Sequence, residues 1–141
     1  MAARPELVVP SALRRIESYG KTASVPFTKG DFVTFVSGAM KRITSEAKVL
    51  GLFRDTEISS ASTNYASTES ISIEVDEMGI YEIDCSTTPV LATHFGNAYD
   101  LSDYKSVNFA ASTNDTLICV GVTPDGRGLF KLNRYFGDGT A

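Results

Sequence analysis

Gly30-Asp31-Phe32-Val33-Thr34-Phe35 and, farther along, Gly96-Asn97-Ala98-Tyr99-Asp100-Leu101 open two stretches of this chain alike, with glycine and a polar residue before a strand-like run. Each stretch closes on an apolar tetrapeptide with glycine third, Val49-Leu50-Gly51-Leu52 in the first and Cys119-Val120-Gly121-Val122 in the second. Residues 30–53 and 96–122 therefore read as two imperfect copies of one unit. A glycine inside an apolar strand marks a bend, a bulge or a close backbone approach. Two at matching places predict a small barrel that turns twice the same way, with Gly30, Gly51, Gly96 and Gly121 as its structural glycines.

Outward from these copies the strand pattern continues. Phe32 to Val36, Met40 to Thr44 and Val49 to Arg54 are rich in β-branched and aromatic residues, with Ser37-Gly38 as a turn. Ile71, Ile73 and Val75 alternate with Ser72 and Glu74. After Asp76-Glu77-Met78-Gly79 the alternation resumes with Tyr81, Ile83 and Cys85, which predicts a hairpin with one wet face. Further strands are expected near Tyr99 to Leu101, Val107 to Ala110, Leu117 to Val122 and Leu129 to Tyr135. Eight or nine short strands joined by turns give an all-β barrel or sandwich rather than a βαβ fold.

Two segments break the rhythm. Asp55 to Ser70 is rich in Ser and Thr and reads as a long exposed loop. The first 26 residues read as an arm: Leu7-Val8-Val9 is a short extended run closed by Pro10, and Ser11 is placed to cap a helix from Ala12 to Tyr19 that stops at Gly20. Leu13 and Ile16 share one face of that helix, a stripe too small to hold it alone in water. The expected organisation is an arm over 1–26, a β-barrel over 27–136 and a flexible tail over 137–141.

The chain has 141 residues, 43% hydrophobic and 21% charged, with no Trp, which is one globular domain with a core that needs neither metal nor disulfides. The N-terminus lacks an apolar signal region, and no apolar run reaches the roughly 20 residues of a membrane helix, so a soluble protein of a cytoplasm-like compartment is expected. Its net charge of -4 is unevenly spread. Arg4, Arg14, Arg15 and Lys21 outweigh Glu6 and Glu17 in the arm, whereas every charged residue from Asp55 to Asp103 is acidic. Such a body repels phosphate, which argues against a nucleic-acid partner.

Chemistry-bearing motifs are sparse. Cys85 and Cys119 lie in expected strands without zinc spacing, and read as buried thiols or, less simply, as a disulfide. His94, the one histidine, has no nucleophile motif near it in sequence. Glu74, Asp76, Glu77, Glu82 and Asp84 lack a calcium-loop spacing and read as a solvated face. Asn114-Asp115-Thr116 matches the glycosylation acceptor by chance, and Gly126-Arg127-Gly128 has no following helix to cradle a phosphate. No catalytic residue, cofactor or metal is expected.

Lys29-Gly30-Asp31-Phe32-Val33, the two glycine-containing strands, Gly79-Ile80-Tyr81-Glu82-Ile83 and Gly128-Leu129-Phe130-Lys131-Leu132 together resemble the capsid decoration, or cement, proteins of tailed bacteriophages, over residues 27–135. The resemblance implies a β-barrel or β-tulip that sits as a homotrimer on the outer capsid surface of the virion. There it would clamp the major capsid protein of the expanded head after synthesis in the host cytoplasm. The residues expected to reach the capsid are those of the arm: Leu7, Val8, Val9, Leu13, Arg14, Arg15 and Ile16. A head-fibre base or tail protein, and a barrel binding carbohydrate through 55–70, are the alternatives.

Overall fold

The computed structural model describes residues 4–44 and 48–133. Its elements are β1 (Glu6–Val9), β2 (Arg15–Gly20), β3 (Phe32–Val36), β4 (Ala39–Arg42), β5 (Gly51–Phe53), β6 (Ser70–Val75), β7 (Ile80–Cys85), the short helix α1 (Leu91–His94), β8 (Ala98–Leu101), β9 (Ser106–Asn108), β10 (Leu117–Val122) and β11 (Gly128–Leu132). The all-β reading holds, with more and shorter strands than the pattern suggested. The expected tail over 137–141 lies outside the described residues.

The strands form two five-membered units in tandem. In the second, the order β7-β11-β10-β8-β9 closes on itself because β7 and β9 also pair, in parallel, through Asp84↔Ser106 and Cys85↔Val107. In the first, the order is β2-β6-β5-β3-β4. This sheet curls until a parallel bridge, Lys21↔Met40, joins the end of β2 to β4, and Thr22 donates its amide to the Met40 carbonyl at 2.8 Å. Moving each strand five places along the chain converts one order into the other, parallel closure included. The duplication glimpsed over 30–53 and 96–122 thus spans both units in full.

Backbone hydrogen bonds fix the equivalence residue by residue. Gly30 donates to the Phe53 carbonyl at 2.9 Å and Phe53 to that of Asp31 at 2.9 Å. Gly96 donates to Cys119 at 2.8 Å and Cys119 to Asn97 at 3.0 Å. One sequence offset relates all of these, and it also relates the turn bond Asp31 to Thr28 with Asn97 to His94. Both glycines sit at positive φ, +94 and +82, where a Cβ is disfavoured. The same offset makes Gly51 the counterpart of Leu117, because Gly51 faces Val33 as Leu117 faces Tyr99. Gly51 and Gly121 therefore do not occupy matching places, and each has its own cause. Gly51 lies under the backbone of Glu74, whereas Gly121 follows a register shift that leaves Val120 as an extra residue in β10.

Three local expectations are overturned. Residues 15–20 form a strand, not a helix, because the edge of β6 offers six paired positions, Arg15↔Val75 through Gly20↔Ser70, against a helix with almost nothing to bury. The alternation over 71–85 is not a hairpin: β6 belongs to the first unit and β7 to the second, and Asp76 to Gly79 is the crossover between them. Its polar side is solvated only in part, since Glu74 and Asp76 are buried while Glu77, Glu82 and Asp84 are half-buried.

Two cores result. Inside the first unit lie Phe27, Val33, Met40, Phe53, Ile58, Ile71, Ile73 and Val75. The Ser/Thr-rich loop after β5 is their lid: Ile58 bridges Phe27 by two backbone bonds of 2.9 Å, and Tyr65 packs against the same cluster. The larger core fills the second unit with Tyr81, Ile83, Leu101, Val107, Leu117, Cys119, Phe130 and Leu132, and the outer face of the first unit plugs it with Phe32, Ile43, Val49 and Leu52. Burying aliphatic and aromatic groups on both faces of β3 and β5 welds the units together.

Candidate functional site

Of the predicted anchor residues, Leu7, Arg14 and Arg15 have side-chain partners within the chain. β1 adds to the edge of β7 with Glu6↔Glu82 and Leu7↔Tyr81, and Leu7 packs against the larger core. Arg4 pairs with the fully buried Asp31 at 2.8 Å, and Arg42 approaches the same carboxylate at 3.6 Å while its guanidinium lies 3.7 Å over the Tyr104 ring. Burial raises the Asp31 carboxyl above its usual value in spite of the Thr28 amide and both cations. Ser11, expected as a helix cap, donates its amide at 2.6 Å and its hydroxyl to Asp76. Arg14 pairs with Glu74, and Arg15 with Glu17 and Glu77. Arg127 gathers Glu82 at 2.7 Å, Asp84 at 2.6 Å and the Arg4 carbonyl at 3.2 Å. The basic arm and the acidic body thus neutralise each other in one molecule. Val8, Val9, Leu13 and Ile16 keep exposed surface.

Cys85 and Cys119 are free thiols. Burial pushes Cys85 up to about 12 and raises Cys119 as well, so neither offers a thiolate near neutral pH. His94 stacks on Phe109 with ring centroids 3.8 Å apart, and its Nδ1 accepts the Val90 amide at 2.8 Å. Among the described residues no group of His, Cys, Asp and Glu is arranged to hold a metal, and no helix is long and apolar enough to cross a membrane.

What the arm no longer explains is an apolar groove on the second unit, lined by Leu91, Ala92, Phe95, Val120, Val122 and Leu129 beside Gly121. Leu91 is 54% exposed, Phe95 59% and neighbouring Val90 50%, large values for side chains of this kind. The positions arise from strand parity up to the extra residue Val120. Leu117 and Cys119 point inward along β10, so Ile118 and Val120 point out, and Leu129 does so beside inward Phe130 on β11.

The first unit carries opposite chemistry at three of the equivalent positions. The shared offset places Lys29 where Phe95 stands and Arg54 where Val120 stands. Ile73 faces Phe53 as Phe130 faces Cys119, so Ser72 is the counterpart of Leu129. There the arm stands beside them: Arg4, Pro5, Glu6 and Leu7 form one wall of a pocket completed by Lys29, Gly30, Leu52, Arg54 and Glu74. A Cβ on Gly30 would meet Arg4 Cβ at 2.8 Å and the Pro5 carbonyl at 3.2 Å, whereas one on Gly96 would meet nothing within 4 Å among the described residues. Around the duplicated glycine the surface is charged and touched by the arm in one unit, whereas in the other it is apolar and no described residue lies over the glycine. The sequence carried the signal in Val90, Leu91, Phe95, Val120 and Val122, but the strand residues read as core until their parity against Cys119 is applied.

Comparison with protein-family models, with curated proteins and with solved structures found no match for this chain.

Proposed function

We propose that this chain is a structural virion protein that binds the outside of a tailed-phage capsid, as a homotrimer, and stabilises the expanded head by holding neighbouring major capsid subunits. The observation that carries the reading is the apolar groove of Leu91, Phe95, Val120, Val122 and Leu129, which no described residue covers. An uncharged concave patch of this kind suits a permanent protein partner rather than a phosphate or a sugar, which require polar groups aimed at the ligand. The resemblance of the Gly30 and Gly96 openings and the two glycine-containing strands to decoration proteins supports the same role. Docking is assigned to the groove rather than the arm, because Leu7, Arg4, Ser11, Arg14 and Arg15 already have partners in the chain.

The test is co-sedimentation of the purified chain with expanded and unexpanded heads of the virus that encodes it, followed by particle imaging. Saturable density at three-fold positions of expanded heads, with raised resistance of those heads to heat, is the expected result. Heads that sediment without the protein at saturating concentration overturn the proposal.

A further inference from the structure

The two units provide an internal comparison that says what a covered glycine looks like. On the first, the arm covers the glycine: Arg4 and Pro5 come close enough to Gly30 that only glycine leaves room for them. Its side chains match what lies beneath: Arg4 finds Asp31, and Glu6 approaches Arg127 at 3.8 Å. On the second, the glycine is kept at Gly96 with the same positive φ and the same amide bond, but nothing described lies over it. Three exchanges beside it run from polar to apolar: Lys29 to Phe95, Arg54 to Val120, Ser72 to Leu129. Asp31, the acceptor for Arg4, becomes Asn97.

We infer that the groove of the second unit binds an extended, uncharged apolar segment of another protein, laid along Phe95 next to Gly96 as Arg4 and Pro5 are laid over Gly30. The arm of a second copy of this chain fits poorly, because Arg4 would face Asn97 instead of a carboxylate and Glu6 would lie along valines and a leucine. An apolar segment meets the opposite situation: Phe95, Val120, Val122 and Leu129 supply contact area, and no buried charge is left without a partner. The inference deepens the capsid reading and rests on it only for the identity of the chain that donates the segment, the major capsid protein.

The test uses the full chain, immobilised and exposed to a displayed library of short random peptides, with a double variant, Phe95→Lys with Val120→Arg, as the counter-target. These substitutions install what the first unit carries at the same places, so the fold should accept them. Thermal unfolding checks this, and Leu129→Ser, the first unit's Ser72, serves as an independent second variant. Enriched peptides should carry apolar residues at alternate positions without Lys, Arg, Asp or Glu between them, and should bind the double variant about tenfold or more weakly than wild type. No enriched family, or equal affinity for wild type and both variants, overturns the inference. So does a chain ending at Asn133 that gains peptide affinity, since residues 134–141 would then be the occupant. Failure of the capsid reading has a different signature: wild type selects apolar peptides but does not decorate heads. Heads decorated equally by wild type and the double variant would instead remove the groove from capsid binding.

Discussion

Gly51 lies directly beneath the carbonyl of Glu74, so closely that a Cβ on Gly51 would fall inside the van der Waals shell of that oxygen and 3.0 Å from the Ile73 Cγ2. The obstacle is the backbone of the neighbouring strand, which cannot rotate away. At Gly121 the corresponding atom would lie 3.1 Å from Leu129 Cδ1, the far end of a flexible side chain. Two glycines that look alike in sequence therefore have unequal tolerance.

Gly51→Ala is accordingly expected to destabilise the chain by about 2 to 4 kcal/mol, through forced separation of β5 from β6, and Gly121→Ala by less than about 1 kcal/mol. Urea denaturation of both variants measures this. Equal midpoints for the two would mean that the crossing at Glu74 does not restrict the backbone.

The arm is part of the fold, and its removal should show as instability. Arg4→Ala leaves the buried Asp31 with the Thr28 amide and, as its remaining cation, Arg42 at 3.6 Å, while the Cβ and the Pro5 carbonyl over Gly30 stay in place. Because Arg4 is itself 31% exposed, the expected loss is about 1 to 2 kcal/mol rather than the larger cost of breaking a fully buried pair. Asp31→Asn reproduces the second unit's Asn97 and should rescue part of the loss in the double variant. Thermal unfolding of the four-member cycle checks both statements, and strict additivity would remove the Arg4–Asp31 coupling.

Much of this architecture was legible, and the illegible parts share a cause. Ile71, Ile73 and Val75 face the core as their alternation requires, and Ser37-Gly38 makes the expected turn with both residues at positive φ. Residues 12–19 fit a helical and a strand period equally well. What decides between them is the edge of β6, far away in sequence. The run from Ile71 to Cys85 alternates through Asp76 to Gly79 as a hairpin would, and nothing local reveals that its halves pair in different units. The duplication was visible at Gly30 and Gly96, where a backbone demand fixes the residue, but not along strands such as β6 and β11, whose side chains have diverged while the ladder stayed.

Cys85 gives a pH signature. Its thiol titrates near 12 in the folded chain, because of burial first and the neighbouring Cys119 second, against 9.0 for an ordinary cysteine. Between those values the unfolded chain releases a proton that the native state keeps, so stability is fully present below pH 9 and falls as pH rises through the window. The unfolding midpoint should stay flat to about pH 8.5 and then decline. Cys85→Ala should reduce that decline without abolishing it, since Tyr19 is also raised, chiefly by its bond to Glu17. Native Cys85 should resist alkylation at pH 8 until denaturant is added. Fast labelling of the native chain would contradict a buried, protonated thiol.

Lys21 and Cys85 close their units at equivalent places, Lys21 opposite Met40 and Cys85 opposite Val107, yet one is a cation and the other a thiol. The reason lies in the following connections. The first unit joins its last two strands through the long loop after β5, and Lys21, fully buried, reaches into it to donate to the carbonyls of Tyr65 at 2.9 Å and Ser67 at 2.6 Å. The second unit makes the same connection with a tight turn closed by Thr123 and Arg127, which leaves no loop to tether. A buried ammonium is tolerated only where acceptors surround it, so Lys21 and the loop hold each other in place. Lys21→Met keeps the apolar stem and removes the ammonium donors, leaving the Ser67 carbonyl to find water and the Tyr65 carbonyl with the Ser24 amide. The expected cost is about 1 to 3 kcal/mol. Hydrogen exchange is the sharper measurement: the amides of Ser24 and Tyr65, which bond to the Tyr65 and Ser62 carbonyls, should lose protection first, while those of β10 and β11 stay slow. Unchanged protection at Ser24 and Tyr65 would mean that Ile58 and Tyr65 alone hold the lid and that Lys21 is a passenger in the core.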